Sequence, residues 1–235
     1  MLKNLLILLL CFLVTACAQL PTSERLENVR AEREQEIALT LADQGYVYGS
    51  PVFVRGFKDE GVIELWIQKP EQKTFALYKT YPICTFSGDL GPKLAEGDEQ
   101  APEGFYRVGK GQMNPWSREH LSFNLGFPNE YDESLGRTGS NLMIHGGCAS
   151  VGCYAMTDEA MEEIYLLVEA ALREGQKTVP VHLFPFRLNA RNMAYYQNHE
   201  WMPFWENLKQ GYDIFELSHI PPNVDVRKWE YAFRK

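Results

Sequence analysis

The chain has 235 residues, of which 45% are hydrophobic and 23% are charged, and its formal net charge is −8. This composition is typical of a globular protein and excludes a disordered or fibrous one. An acidic chain without a basic stripe also lacks the charge that DNA or RNA binding requires, so we expect no nucleic-acid partner.

Residues 1–17 have the pattern of a signal peptide. Lys3 supplies a positive charge, and residues 5–14 form an apolar run that is too short to span a membrane comfortably. The letters V-T-A-C that end this segment resemble a lipobox, which predicts an exported protein with a lipid on Cys17. Ordinary signal-peptidase cleavage at the A-x-A pattern of residues 16–18 is the alternative. Since no Asp follows Cys17, the resemblance to bacterial lipoproteins predicts a periplasmic protein anchored to the outer membrane.

Residues 18–45 are rich in charge and keep part of a helical period, which predicts a helical tether that links the body to its anchor or packs on it. A solvated spacer is the alternative for its first half. Residues 46–186 then carry most of the β signals, bounded by Gly, Pro and charged turns. We predict strands at residues 52–57, 62–68, 74–83, 105–108, 122–126, 142–145 and 179–184.

Two other segments complete the predicted body. Residues 87–104 form a long loop, because they contain too many glycines and prolines for a regular element. Residues 157–174 are the clearest helix, with Thr157 as its cap and Gly175 at its end. The aromatic-rich residues 187–235 predict a helical C-terminal extension. We place its helices at residues 190–198 and 203–217.

Three cysteines lie beyond the signal segment: Cys84, Cys148 and Cys153. Disulfides persist in exported proteins, so an odd number of cysteines calls for an explanation. We predict a Cys84–Cys148 disulfide and a free Cys153, while the other pairings and three free thiols stay open.

The segment between His145 and Cys153 has the residues for nucleophilic chemistry. A strand ends at His145, a glycine-containing loop follows, and Cys153 comes shortly before a helix whose dipole would favour a thiolate. A loop that folds back would let His145 activate the thiol, and the free N–H groups at the helix terminus could stabilise an oxyanion. The alternatives are an inert buried cysteine with a structural histidine, and a zinc site that includes Cys148. Zinc would lack a fourth ligand, so we predict neither a metal nor another cofactor.

This segment resembles the signature of the L,D-transpeptidase (YkuD-domain) family. The matching residues are His145-Gly146 and the S-V-G-C run at residues 150–153. The run A-P-E-G-F-Y at residues 101–106 resembles the turn and short strand that precede the site in this family. The resemblance covers roughly residues 50–186. It implies an α+β fold with a β-sandwich core, one long helix after the nucleophile, and a catalytic domain over residues 46–186.

The sequence also departs from the common family pattern. Val151 stands where the family usually has His, and Ala155 where it usually has Arg. The separation between His145-Gly146 and the Cys motif is also shorter than usual. These departures resemble the YafK-like subgroup, which is associated with cleaving peptidoglycan amide bonds and releasing wall-tethered lipoprotein.

The resemblance implies an enzyme that acts on peptidoglycan stem peptides. Cys153 would attack the carbonyl of the L-centre of diaminopimelate, while the N–H groups of Gly152 and Cys153 hold the oxyanion. The resulting thioester would pass its acyl group to an amine. Gly146 and Ser150 would lie near the substrate, and Arg137 could meet a stem-peptide carboxylate. One alternative is a hydrolase that frees wall-linked lipoprotein or D-Ala. The other is an inactive, lipid-anchored module that binds peptidoglycan.

Overall fold

The computed structural model describes residues 19–234. The predicted signal peptide and its lipidation site Cys17 lie outside the described residues. Within the described part, no helix combines the length and the apolar character needed to cross a membrane.

Residues 19–234 form five α-helices, twelve strands and a 3₁₀ turn at Lys110–Gln112. The helices are α1 (Glu24–Asp43), α2 (Glu130–Ser134), α3 (Asp158–Arg173), α4 (Ala190–Tyr195) and α5 (Met202–Ser218). The strands are β1 (Val52–Phe57), β2 (Val62–Gln68), β3 (Phe75–Pro82), β4 (Thr85–Phe86), β5 (Gly104–Val108), β6 (Met113–Asn114), β7 (Ser122–Asn124), β8 (Met143–His145), β9 (Tyr154–Ala155), β10 (Val179–Phe184), β11 (Asn223–Arg227) and β12 (Glu230–Arg234).

Two mixed sheets form the body of the molecule. The first has the order β3-β2-β1-β10-β5, and the second has the order β4-β9-β8-β7-β6. Each sheet contains one parallel pair, β1 with β10 and β8 with β9. A single hydrophobic cluster contains residues of both sheets, α1 and α3. The predicted α+β fold, with one long helix after the proposed nucleophile, is therefore confirmed.

Helix α3 forms where its caps and apolar residues predict it. The Thr157 hydroxyl accepts a hydrogen bond from Ala160 N at 3.2 Å, and Gly175 follows the helix with a φ of +110°. This positive φ favours glycine, because a side chain there would clash with the backbone. The apolar residues of α3 are buried, and the helix contacts strands of both sheets. Its N-terminus follows directly on β9, the strand that the nucleophile precedes.

Helix α1 packs on α3 and on the common hydrophobic cluster. Leu26, Val29, Ile37 and Leu41 are buried in the common hydrophobic cluster. Arg30 binds the carboxylate of Glu169, a side chain that α3 holds almost completely out of solvent. The first half of the 18–45 segment is therefore packed structure and not the solvated spacer that we kept as an alternative.

The C-terminal extension is joined to the body by buried polar contacts. Glu103 lies at the end of the long loop and accepts a hydrogen bond from the Trp205 indole of α5 at 2.9 Å. The same carboxylate pairs with Lys58 at 3.1 Å, and both side chains are fully buried. A buried ion pair of this kind requires both partners, because either charge alone would be strongly disfavoured.

The sequence-based prediction missed a hairpin in this extension. We predicted only helices between residues 187 and 235, but β11 and β12 pair as an antiparallel hairpin. Its turn residues Lys228 and Trp229 have φ values of 50° and 65°. Two-residue hairpin turns with positive φ usually contain Asn or Gly, so these two residues carried no turn signal.

Candidate active site

His145 is the last residue of β8, and its ring is held by a backbone contact. The side chain is buried, and Nδ1 lies 2.6 Å from the carbonyl oxygen of Gly146. A carbonyl oxygen can only accept a hydrogen bond, so Nδ1 must carry the proton of the neutral ring. Nε2 then carries the lone pair, which is the state that a general base requires.

Cys153 lies one residue before β9, beside the strand that ends at His145. Its Sγ accepts a hydrogen bond from Met143 N at 3.4 Å and lies 3.7 Å from Asn141 O. His145 pairs with Ala155 in parallel register. Side-chain alternation then places Cys153 and His145 on the same face of the sheet, with Cα atoms about 8 Å apart. Within residues 19–234 no direct hydrogen bond joins the His145 ring to the Cys153 thiol in the resting site.

The predicted disulfide is present. Cys84 and Cys148 are bonded, and Cys153 is the one free cysteine among the described residues. The bond attaches the loop between base and nucleophile to the segment that precedes β4. It also removes Cys148 as a metal ligand, and no cluster of His, Cys, Asp or Glu suited to a metal ion occurs within residues 19–234.

The structure raises the pKa of the Cys153 thiol, whereas the sequence predicted an environment that favours the thiolate. Burial raises the pKa of Cys153, the Met143 N–H and the charge of Lys93 lower it, and the charge of Glu119 raises it. The net direction is upward, so the resting group is a thiol. The predicted effect of the helix dipole on a thiolate is wrong, because β9 separates Cys153 from the first turn of α3 and desolvation outweighs the favourable contacts.

Glu119 supplies a direct test of this electrostatic balance. Its carboxylate lies over the active-site loop, where a Cβ built on Gly147 would be 2.5 Å from Glu119 Oε2. Replacing Glu119 by Gln removes a negative charge that opposes the thiolate. We therefore expect the midpoint of Cys153 alkylation by iodoacetamide, followed against pH, to move to lower pH. The exposed Glu200→Gln is the matched control, and equal midpoints in both variants would contradict this assignment.

Both predicted oxyanion donors already have partners. Gly152 N donates to the hydroxyl of Ser87, and Cys153 N donates to Ser150 Oγ at 3.0 Å. The Ser150 hydroxyl in turn donates to Cys153 O at 2.7 Å. Ser150 thus holds the backbone of the nucleophile, and an incoming substrate oxygen must replace hydroxyl oxygens at both N–H groups. Gly152 has a φ of +86°, which explains why glycine occupies this position.

Gly146 is required by packing beneath the loop. A Cβ at this position would lie 2.6 Å from Asp158 Oδ1 and 3.0 Å from the Cβ of His120. The neighbouring Gly147 N donates to the same Asp158 oxygen at 2.8 Å. Glycine therefore lets the His145 loop pack directly on the start of α3. Gly146 thus has a role in shaping the site, and the substrate contact predicted for it stays a prediction.

Arg137 is used elsewhere in the structure. Its guanidinium is buried, pairs with Asp132 at 2.8 Å, and lies over the rings of Tyr131 and Phe204. The prediction that it meets a substrate carboxylate is not supported by this arrangement, because its charge is already neutralised in a closed contact. From the sequence, a loop arginine near the site carried no sign of this internal partner.

Sequence analysis also missed residues that the fold brings to the site. Ser87 reaches Gly152 from a distant loop, and Asn141 and Met143 supply backbone groups to the thiol. Hydroxyl and backbone contacts of this kind leave no spacing pattern, since any residue can supply a backbone group. The exposed Glu119 was missed because it lies outside the segment between His145 and Cys153, and its charge reaches the thiol only in the folded chain.

Comparison with known proteins finds relatives that match most of this chain. The YkuD family, the L,D-transpeptidase catalytic domain, matches residues 63–183, just over half of the chain. The chain is 45% identical over 187 residues to the Escherichia coli K12 protein named "Putative L,D-transpeptidase YafK", which covers 80% of this chain and 75% of that protein. The protein of the same name from E. coli O157:H7 matches equally well.

Two solved structures of the helical cell shape determining protein Pgp2 from Campylobacter jejuni are also similar. One has a TM-score of 0.44 and 17% identity, over 80% of this chain and 79% of that chain. A mutant form has a TM-score of 0.45 and 22% identity over 63% of this chain, which spans about half, 53%, of that one. The family match and the 45% identity carry the assignment: this chain belongs to the L,D-transpeptidase family and contains its YkuD catalytic domain.

Proposed function

We propose that this protein processes peptidoglycan by acyl transfer through a thioester on Cys153. The acyl donor is the L-centre of diaminopimelate in a stem peptide. One observation carries the proposal: the free thiol of Cys153 lies beside the strand that ends at His145, whose ring is held through Nδ1 by the Gly146 carbonyl and leaves Nε2 available as a base. A free thiol and a neutral imidazole on one face are the minimal set for covalent acyl transfer.

The chemical steps follow from the protonation states. The Cys153 group is protonated at rest, so His145 Nε2 takes its proton as sulfur attacks the carbonyl carbon. The carbonyl electrons move to oxygen, and the N–H groups of Gly152 and Cys153 stabilise that oxyanion once it has replaced the serine hydroxyls. When the oxyanion collapses, the C–N bond breaks, the amine takes the proton from His145, and the thioester remains. The ring and sulfur must come closer during this step, as catalytic contacts commonly do when substrate binds.

The second half of the reaction transfers the acyl group from sulfur. His145 deprotonates the acceptor, which attacks the thioester carbon, and the Cys153 thiolate leaves and recovers a proton. We propose an amine as the acceptor, which makes the reaction a transpeptidation. Water is the second candidate: the wall-linked lipoprotein or D-Ala lost in the first half is then not replaced, and the stem is released as a free carboxylate. Val151 favours water, because this exposed side chain stands beside Cys153 and offers no hydrogen bond to an acceptor peptide.

We also propose that the protein is exported and anchored to the outer membrane through a lipid on Cys17. The packed helix α1 begins shortly after this position, which would hold the catalytic domain close to the membrane. Mass spectrometry of the N-terminal peptide checks this point. An unlipidated peptide that starts at a residue other than Cys17 would contradict it.

The decisive test is a digest of purified peptidoglycan with wild-type protein and with Cys153→Ala. Mass spectrometry of the fragments is expected to show changes with the wild type alone, and intact mass is expected to show a trapped acyl-enzyme. New cross-links identify an amine acceptor. Stems that end in a free diaminopimelate carboxylate, with lysine or D-Ala lost and no new cross-link formed, identify water. Fragments that are unchanged by both proteins would overturn the proposal in favour of an inactive binding module.

A further inference from the structure

An uncharged pocket adjoins the nucleophile on the side of β8. Its volume is about 450 Å³, and its lining includes Asn141 and Met143, the two residues whose backbone groups contact Cys153 Sγ. A second pocket of about 230 Å³ also contains Asn141 and extends towards Gly152. Asn141 lines both pockets, and its carbonyl oxygen lies 3.7 Å from Cys153 Sγ, so a substrate that reaches the thiol would extend into both.

The two pockets differ in their chemistry. Lys93, Glu96 and Glu99 line the smaller pocket. Among the described residues that line the larger pocket, none is charged. Its side chains are mainly amides with one indole: Gln112, Asn114, Trp116, Asn124, Asn141 and Met143. A carboxylate or ammonium group would lose its hydration there without gaining a charged partner, so the larger pocket suits a neutral ligand.

The amide groups in this pocket present hydrogen-bond donors. The side-chain oxygen of Asn114 accepts from Trp116 N at 3.2 Å, and that of Asn124 accepts from Gly126 N at 2.7 Å. Because backbone N–H groups can only donate, these contacts settle which end of each amide is oxygen. Each NH₂ group is left as a donor, and a ligand with carbonyl oxygens would satisfy both of them.

Trp116 adds a flat apolar surface on a fixed loop. Its side chain is 65% exposed, although most large aromatic residues of the body are buried. The loop that carries it is held by α1, because Ser23 Oγ donates to Pro115 O at 2.9 Å and Arg25 donates to Ser117 O at 2.7 Å. An exposed indole on a pinned backbone loses little conformational entropy when a ligand covers it, which is the property of a binding residue.

We propose that this pocket is a substrate subsite for an uncharged, carbonyl-bearing part of peptidoglycan, with Trp116 as its contact surface. The inference rests on the proposed function, since it assigns one side of the same groove. Two parts of the polymer share this chemistry: the acetamido groups of the amino sugars and the neutral amide backbone of the stem. The neighbouring charged pocket is left for the ionised groups of the stem peptide.

Calorimetric titration of the Cys153→Ala protein tests the subsite without turnover. The probes are a disaccharide tetrapeptide that contains diaminopimelate and the same tetrapeptide without sugars. Adding Trp116→Ala is expected to weaken binding roughly fivefold to tenfold, the loss of one aromatic contact. Trp229→Ala is the matched control, because this indole is 67% exposed and lies in the β11–β12 turn. It is expected to bind as tightly as the parent.

The binding results distinguish the sugar from the stem backbone as the ligand of the pocket. They also test the subsite separately from the proposed function. Weaker binding of the disaccharide probe alone assigns the pocket to sugar, and weaker binding of both probes assigns it to the stem backbone. Equal affinities of the Trp116→Ala protein and its parent, or a parent that binds neither probe, overturn the inference. If the Cys153→Ala parent binds the probes but the wild-type protein leaves purified peptidoglycan unchanged, the proposed function fails and the subsite stands. Equal melting temperatures of the Trp116→Ala protein and its parent confirm that the variant is folded.

Discussion

Replacing His145 by Gln is expected to lower the rate of peptidoglycan processing by about 10²–10⁴-fold, the usual contribution of a positioned general base. The reason is the protonation state of the site. Burial raises the pKa of the Cys153 thiol, so little thiolate exists near neutral pH without a base. A glutamine amide can still donate to Gly146 O, as Nδ1 does, but it cannot accept the thiol proton.

The rate of stem-peptide cleavage or exchange by purified protein measures this effect. His219→Asn is the control, because His219 is an exposed helix C-cap with a φ of 53°, a conformation that asparagine tolerates. The activity of His145→Gln should recover in part as pH rises, since hydroxide can then remove the thiol proton. A variant with near wild-type rates at neutral pH would show that another group deprotonates Cys153.

The parts of this molecule that the sequence predicted are those with local causes. Helix α3 depends on a capping threonine, an apolar repeat and a terminal glycine that all lie within one segment. Counting cysteines in a chain with a signal-like N-terminus predicted one disulfide and one free thiol, and the observed Cys84–Cys148 pair is one of the three pairings that the count allowed. The resemblance of the His145 and Cys153 motifs to one family then pointed to the correct fold.

The missed parts depend on contacts between distant segments. The hydroxyl of Ser87 meets Gly152, and Arg25 of α1 holds the loop of Trp116, although neither pair is close in sequence. The thiol environment is a similar case. Cys153 precedes a helix in the sequence, which predicted a favoured thiolate. Burial by the surrounding fold instead raises the pKa of the thiol. Arg137 shows the same limit, since a loop arginine can pair inside the protein as readily as with a substrate.

Removal of the Cys84–Cys148 disulfide is expected to have the largest effect on stability. The bond joins residues 64 positions apart, and the chain-entropy estimate for a loop of this length is about 4 kcal/mol. The double variant Cys84→Ser with Cys148→Ser should lower the free energy of unfolding by about this amount in urea denaturation. Wild-type protein in excess dithiothreitol should unfold at the same urea concentration as the double variant.

The same change should lower activity more than the loss of stability explains. Cys148 lies at the exposed centre of the loop between base and nucleophile, where its N–H donates to Met156 O at 3.3 Å. Without the disulfide, only hydrogen bonds hold the loop: this contact, the Asp158 carboxylate, and the hydroxyls of Ser87 and Ser150. Gly152 and Cys153 should therefore sample more positions. Activity assayed well below the melting temperature separates the two effects. A double variant that is less stable but fully active would mean that the bond serves folding alone and that the strand register by itself keeps His145 and Cys153 aligned.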